Sequence, residues 1–259
     1  MKSVLLSVIT AFSTFSVLPV PSVPWRRENQ RWMLGALPLV GAVIGAGGYL
    51  WYLLSGLLRL PVLLTAAGLT LIPLALSGGI HMDGFADTVD ALSSHAPPEK
   101  KRAILKDPHA GAFAGMAVSG YLLFYCALCS ALHFESKWMA LLGLTHVLAR
   151  AVGALAGIVL PGTGQNGMLH LFREGANRST ALVLGVWIAA ALGGMAALSP
   201  LSGLCSALGA TGVFLHLGRM SKREFGGMSG DLAGYCITLG SIVLLAGLVL
   251  AERMYALWF

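Results

Sequence analysis

Read for polarity, the chain alternates long apolar runs with short polar segments. Windows of about 20 mostly apolar residues, enough for a helix to cross a bilayer core, occur near 32–57, 61–79, 111–132, 138–160, 179–198, 200–218 and 232–251. The pattern predicts an all-α, polytopic membrane helical bundle of about seven transmembrane helices. A further apolar stretch, residues 3–20, follows Lys2. Such a start raises the question of a signal peptide. No small-residue cleavage site with a polar start after it is evident, however, and Pro19, Pro21 and Pro24 predict a short re-entrant or interfacial segment instead.

Composition supports the membrane reading. With 56% hydrophobic and only 11% charged residues, the chain has too little polar surface to cover a soluble globule of its size. Its 33 glycines suit helices whose backbones approach closely in lipid. Neither a fixed-period repeat nor a low-complexity tract interrupts it, which predicts one integral membrane domain over residues 1–259. The formal charge of +6 is spread over loops and gathers into no patch or helix stripe, so nucleic acid is not expected as a partner. Cys126, Cys129, Cys205 and Cys236 fall inside apolar stretches and read as small buried hydrophobes.

The charge is topological. If the first 31 residues are cytoplasmic, segments 81–110, 161–178 and 219–231 share that side, and 13 of the 17 basic residues collect there. Arg59, Lys137 and Arg253 lie opposite, and Arg150 lies within a span. The positive-inside rule favours this orientation. It also puts 9 of the 11 acidic residues on the cytoplasmic side, a bias that orientation does not require.

Much of that acidity sits in Ser77-Gly-Gly-Ile-His-Met-Asp-Gly-Phe-Ala-Asp-Thr-Val-Asp90. Here Asp83, Asp87 and Asp90 stand at i, i+4 and i+7, within a stripe of roughly 60° on a helix. Carboxylates so arranged repel one another unless cations neutralise them. Hard oxygen ligands in an open, glycine-flanked setting predict Mg²⁺ completed by water and substrate phosphates. The outer two lie about 10 Å apart along the axis, so two ions sharing Asp87 fit better than one ion on all three. His81 reads equally as a ligand or base and as a partner that only orients one.

Three further segments carry candidate chemistry. In Lys106-Asp-Pro-His-Ala-Gly111, Pro108 and Gly111 break the helix before the next span, returning Asp107 to the surface as a fourth metal carboxylate with Lys106 and His109 near phosphate oxygens. Lys100, Lys101 and Arg102 read as a solvated basic face near anionic lipid headgroups. The turn Gly226-Gly-Met-Ser-Gly-Asp231 precedes an apolar helix, so that Gly226, Gly227, Ser229 and Gly230 can aim backbone N–H groups at an anion; an ordinary loop with an Asp N-cap is the alternative. His146 and Arg150 lie at i and i+4 inside a span, where a guanidinium either holds a diphosphate or pairs with an aspartate.

These residues resemble a known family, the cobalamin synthases, also called adenosylcobinamide-GDP ribazoletransferases. The stretch from Gly78 to Asp90 is similar to the family's Gly-Gly-x-His-x-Asp-Gly-x-x-Asp-Thr-x-Asp, and Leu105 to Gly111 is similar to its Met-Lys/Arg-Asp-Ser-Arg-x-Gly. The likeness continues in Leu18-Pro-Val-Pro21, in Pro38-Leu-Val-Gly-Ala-Val-Ile-Gly45 and in Gly226 to Asp231. Departures are Pro108 and His109 for Ser-Arg, Ala149 for a common Ser, and Ser241 where many members carry glutamate.

The resemblance implies the last joining step of the cobalamin nucleotide loop, in which adenosylcobinamide-GDP meets α-ribazole or its 5′-phosphate and GMP is released. It implies Mg²⁺ on Asp83, Asp87, Asp90 and Asp107, with Asp231 as a ligand or base and His81 beside them. Phosphates would fall to Lys106, His109, Arg150 and the 226–230 amides. It further implies a multi-pass protein of the bacterial cytoplasmic (inner) membrane with its active site facing the cytoplasm. Association with other corrinoid-pathway enzymes or with further copies of the chain stays open. A CDP-alcohol phosphatidyltransferase would show Asp-Gly-x-x-Ala-Arg followed by Gly-x-x-x-Asp-x-x-x-Asp, which is missing here. A cation transporter would place its acids at mid-bilayer on broken helices in related halves.

Overall fold

The computed structural model describes residues 2–24, 30–163 and 168–258, and among these it is helical throughout, with no strand beyond one isolated bridge between Gly162 and Met228. In chain order the helices are α1 (Lys2–Phe15), α2 (Met33–Leu57), α3 (Val62–Ser77), α4 (Ile80–Ser93), α5 (Pro98–Ile104), α6 (Ala112–Ala131), α7 (Ser136–Val159), α8 (Met168–Gly175), α9 (Arg178–Leu198), α10 (Pro200–Met220) and α11 (Gly230–Trp258). A π-helical turn, Ser221–Phe225, extends α10.

Six of these, α2, α6, α7, α9, α10 and α11, are individually long and apolar enough to cross a membrane. The window at 61–79 differs. Its helix α3 has only 16 residues and qualifies as a span only together with α4, from which it is bent by 95°. The bend is made by Gly78 and Gly79, both left-handed at φ 65° and 76°, a conformation that costs glycine little and most other residues much. The N-terminal segment forms α1, whose 14 residues reach about 21 Å, short of a crossing. It packs on α2 through buried Ala11 and Phe15.

Helix α7 is the hub. Its apolar window is 72% buried, against 17% for α6 and α9, and it packs against α2, α9, α10 and α11. The α2 contact uses a small-xxx-small step, Gly41 and Gly45. A Cβ on Gly41 would stand 2.4 Å from the His146 carbonyl oxygen, and one on Gly45 would stand 2.7 Å from the Gly143 Cα. Backbones can meet this closely only where side chains are missing. Leu123, Leu182, Val186 and Leu208 point outward, as expected of a lipid-facing surface.

Polar groups collect at the two ends of the bundle. One end joins the α6–α7 turn to α11: Glu252 accepts from the His133 N–H at 3.0 Å, Arg253 donates to the Ala131 carbonyl at 2.6 Å, and Lys137 lies 4.8 Å from the Tyr255 ring centre. At the other end α5 meets the π turn, where the Lys101 ammonium donates to Glu224 at 2.5 Å and Arg102 donates to the Phe225 carbonyl at 2.9 Å. This corrects the expectation of a solvated basic face. Lys101 is buried and Arg102 half-buried, leaving Lys100 alone exposed, because Glu224 supplies a countercharge that the linear pattern does not reveal.

Candidate active site at one end of the bundle

The 95° bend lays α4 across α11. Gly84 and Gly234 meet at the crossing: a Cβ on Gly84 would stand 2.7 Å from the Asp231 carbonyl oxygen, and one on Gly234 would stand 3.1 Å from the His81 carbonyl oxygen. The Thr238 hydroxyl donates to that same His81 oxygen at 3.0 Å. Close approach brings Asp83 and Asp87 of α4 to Asp231 in the first turn of α11. The negative charges of Asp83, Asp231 and Asp90 all act on Asp87, and that of Asp83 acts on Asp231. Asp83 is exposed, and Asp87 and Asp231 are half-buried.

Asp90, the third member of the expected stripe, is engaged elsewhere. Its carboxylate accepts from the Gly111 N–H at 2.5 Å and the Ala114 N–H at 2.8 Å, satisfying amides that the start of α6 would otherwise leave unpaired. Asp107 lies in the exposed turn before α6, where its Oδ1 accepts from the His109 N–H at 2.9 Å and faces the His109 ring at 2.8 Å. The His109 contacts hold this carboxyl below the usual carboxylate range, the backbone hydrogen bond contributing most. Lys106 is exposed in the same turn.

The 226–231 turn is held rigidly. Gly226 and Gly227 are positive in φ at 72° and 150°, the Gly227 N–H donates to the Ser221 carbonyl, and the Met228 N–H donates to Pro161 at 2.7 Å. The Gly226 N–H also turns to the Ser221 carbonyl. Three of the amides expected to face an anion are thus spent inside the protein, leaving Ser229 and Gly230. The N-cap of α11 is Ser229, whose Oγ accepts from the Leu232 N–H at 3.3 Å; Asp231 does not take that place.

His81 is buried against Phe15, the rings stacked 5.9 Å apart, and neither ring nitrogen has a hydrogen-bond partner among the described residues. It separates two cavities. One, of about 130 Å³, is lined by Asp83, Asp231, Gly230 and His81 together with apolar side chains of α1, α2 and α7. The other, of about 30 Å³, holds Arg150 with Tyr121, Tyr125, Thr238 and Ser241. Arg150 is buried and donates to the His146 carbonyl at 3.2 Å, its Nε lacks a partner, and no ion pair to an aspartate forms among the described residues. The sequence pattern gives no sign of Phe15 or Thr238, and reads Lys101 only as a solvated charge, because their contacts are distant in the chain; a glycine inside a helix, as at Gly84, is the one local signal of the crossing.

Fold and site together define a polytopic helical membrane protein with carboxylates gathered beside a largely apolar cavity at one end of its bundle. The comparisons agree. A family model described as cobalamin-5-phosphate synthase matches residues 7–249. A Lachnoclostridium phytofermentans protein called adenosylcobinamide-GDP ribazoletransferase is 35% identical, over 95% of this chain and 94% of its own. Proteins of the same name from Clostridium perfringens and Pseudomonas fluorescens are 29% and 36% identical, over 96% and 93% of this chain and 100% and 97% of theirs. No solved structure matches the chain. The chain belongs to the cobalamin-5-phosphate synthase family.

Proposed function

We propose that the protein is an adenosylcobinamide-GDP ribazoletransferase. A hydroxyl of α-ribazole, or of its 5′-phosphate, attacks the corrinoid-linked phosphorus of adenosylcobinamide-GDP. The new P–O bond forms as the phosphoanhydride bond breaks, GMP leaves, and the hydroxyl proton passes to a carboxylate. The observation that carries this reading is the α4–α11 crossing, which gathers Asp83, Asp87 and Asp231 beside a cavity. Relatives of that name over nearly the whole chain supply the substrates.

The carboxylates suit a divalent cation. Three like charges act on Asp87, with no offsetting positive charge among the described residues, and hard oxygen donors favour Mg²⁺. No group of three or more metal-ligating side chains among the described residues forms a ready-made cage. That fits a metal held by one or two carboxylates and completed by water and phosphate oxygens. Asp83 and Asp87 would hold it, and the bound metal would neutralise charge on the transferring phosphoryl group and the leaving GMP. Asp231, which accepts from the Ser229 hydroxyl at 3.5 Å, would accept the hydroxyl proton. Lys106, and His109 through the ring edge that Asp107 leaves open, would meet phosphate oxygens; both are exposed on the same end.

The basic residues of this end support a cytoplasmic orientation in a bacterial inner membrane, with residues 1–259 acting as one domain. The test is to incubate the protein in nanodiscs with adenosylcobinamide-GDP, α-ribazole and Mg²⁺ and to follow GMP and a cobalamin product. Formation of both supports the reading. GMP-free mixtures, or nucleotide release with CDP-diacylglycerol but not with the corrinoid, would overturn it.

A further inference from the structure

A third cavity, of about 280 Å³, lies at the end of the bundle opposite the acidic site, where α2 turns into α3 beside the α6–α7 turn; Tyr52, Ser55, Arg59, Thr65 and Phe134 are among its lining residues. Its walls are tied together, because the Trp51 indole N–H on α2 donates to the Thr65 carbonyl on α3 at 2.9 Å. Two of the polar residues are held there at a cost. The turn that ends α2 closes with the Arg59 N–H donating to the Gly56 carbonyl at 3.1 Å and the Leu60 N–H donating to the Ser55 carbonyl at 2.9 Å. In that bonding pattern the residue just past the helix is left-handed and usually glycine. Arg59 takes the place at φ 52°, a backbone that residues with a Cβ adopt unfavourably. Ser55, in the last turn of α2, is buried, and its hydroxyl has no hydrogen-bond partner among the described residues. The buried hydroxyls of Thr70, Ser77 and Thr88 instead donate to the carbonyl four residues earlier, the local solution open to any helical serine or threonine. A buried hydroxyl left unsatisfied is costly.

A guanidinium and a free hydroxyl on one pocket suit a phosphate, the first forking onto two of its oxygens and the second donating to another. The setting selects the source of that phosphate. Leu57 and Leu58, beside Arg59 in the chain, and Leu63, in the first turn of α3, point outward, and a bundle end with aromatic residues is where membrane headgroups lie. We propose that this pocket seats the phosphodiester headgroup of an anionic membrane phospholipid, with Arg59 and Ser55 on its phosphate oxygens and its acyl chains along the outward leucines of α2 and α3. About 150 Å³ accommodates a benzene ring, so a glycerophosphate group has room in this larger space. The site stands apart from the carboxylates at the other end of the bundle, and its lipid clasps the α2–α3 hairpin without entering the reaction.

Arg59→Gly separates a binding role from a structural one, because glycine suits the turn better than the native residue. The full chain, delipidated in an uncharged maltoside detergent, is unfolded by heat alone, with phosphatidylglycerol, or with inorganic phosphate, and lipid retained by the folded protein is counted by native mass spectrometry. Phosphatidylglycerol well above its Kd is expected to raise the wild-type unfolding temperature by roughly 5–10 °C. Arg59→Gly is expected to be at least as stable as the wild type without lipid and to lose both the shift and the retained lipid. Ser55→Ala, which removes the unpaired hydroxyl, is expected to keep its lipid-free stability and to bind phosphatidylglycerol about tenfold more weakly. Equal lipid shifts in the wild type and both variants would overturn the proposal, and a lipid-free Arg59→Gly protein less stable than the wild type would make Arg59 structural and do the same. The full shift produced by inorganic phosphate alone would overturn the lipid as occupant.

Discussion

The α4–α11 crossing can be tested by adding one methyl group. In Gly84→Ala the new Cβ would stand 2.7 Å from the Asp231 carbonyl oxygen and 2.9 Å from its Cα. Both are backbone atoms, so no side chain can yield, and α4 must move away by about 0.7 Å to reach ordinary contact at 3.4 Å. Overpacking of this kind costs about 1–3 kcal/mol, while replacing a helical glycine by alanine returns up to about 1 kcal/mol. Gly115→Ala, in α6, isolates the second effect because nothing lies within 4 Å of its new Cβ. The two variants should therefore differ by about 1–3 kcal/mol, with Gly84→Ala less stable. Because α4 carries Asp83 and Asp87 away from Asp231, turnover should also fall, by roughly tenfold to a hundredfold for a displacement approaching 1 Å. Thermal unfolding in one detergent and GMP release in nanodiscs measure the two effects. Equal stability of the two variants together with an undiminished rate for Gly84→Ala would refute the crossing as the device that assembles the site.

Other consequences follow from particular side chains. Mn²⁺ should bind the wild-type protein by electron paramagnetic resonance and should bind Asp87→Asn much more weakly; equal binding would remove Asp87 as a ligand. Asp90→Ala should unpair the Gly111 and Ala114 amides and cost about 1–3 kcal/mol, read as a lower unfolding temperature, and a neutral result would deny the cap. The exposed Asp107 turn should depend on pH. Because the carboxyl's folded value is depressed, the His109 contact is intact above the usual carboxylate range and is lost as pH falls through the depressed value. Amide exchange at His109 that is insensitive to acid would contradict this.

Most of the bundle was legible because crossing a bilayer leaves a long, one-sided signal. Six apolar windows became helices, five within a few residues of where polarity placed them and the sixth, α11, continuing well past the expected end at 251 to Trp258. The window at 61–79 marked its helix but not the bend, since two consecutive left-handed glycines can end a helix without fixing the angle at which the next one leaves. In the site, the i, i+4 spacing placed Asp83 and Asp87 on one face, whereas Asp90 was diverted by the amides of α6, which periodicity cannot foresee. Lys101 read as solvated because its partner Glu224 lies 123 residues away. The apolar wall around the acidic residues comes from α1, α2, α7 and α8, so no local pattern announced it.

The most direct measurement sets the wild-type protein beside Asp83→Asn and Asp87→Asn in nanodiscs with adenosylcobinamide-GDP, α-ribazole and Mg²⁺, following GMP and the cobalamin product. The wild type should release GMP in step with product, and both variants should insert normally yet lose turnover. Near-wild-type rates in both variants would contradict the assignment of the reaction to this carboxylate site.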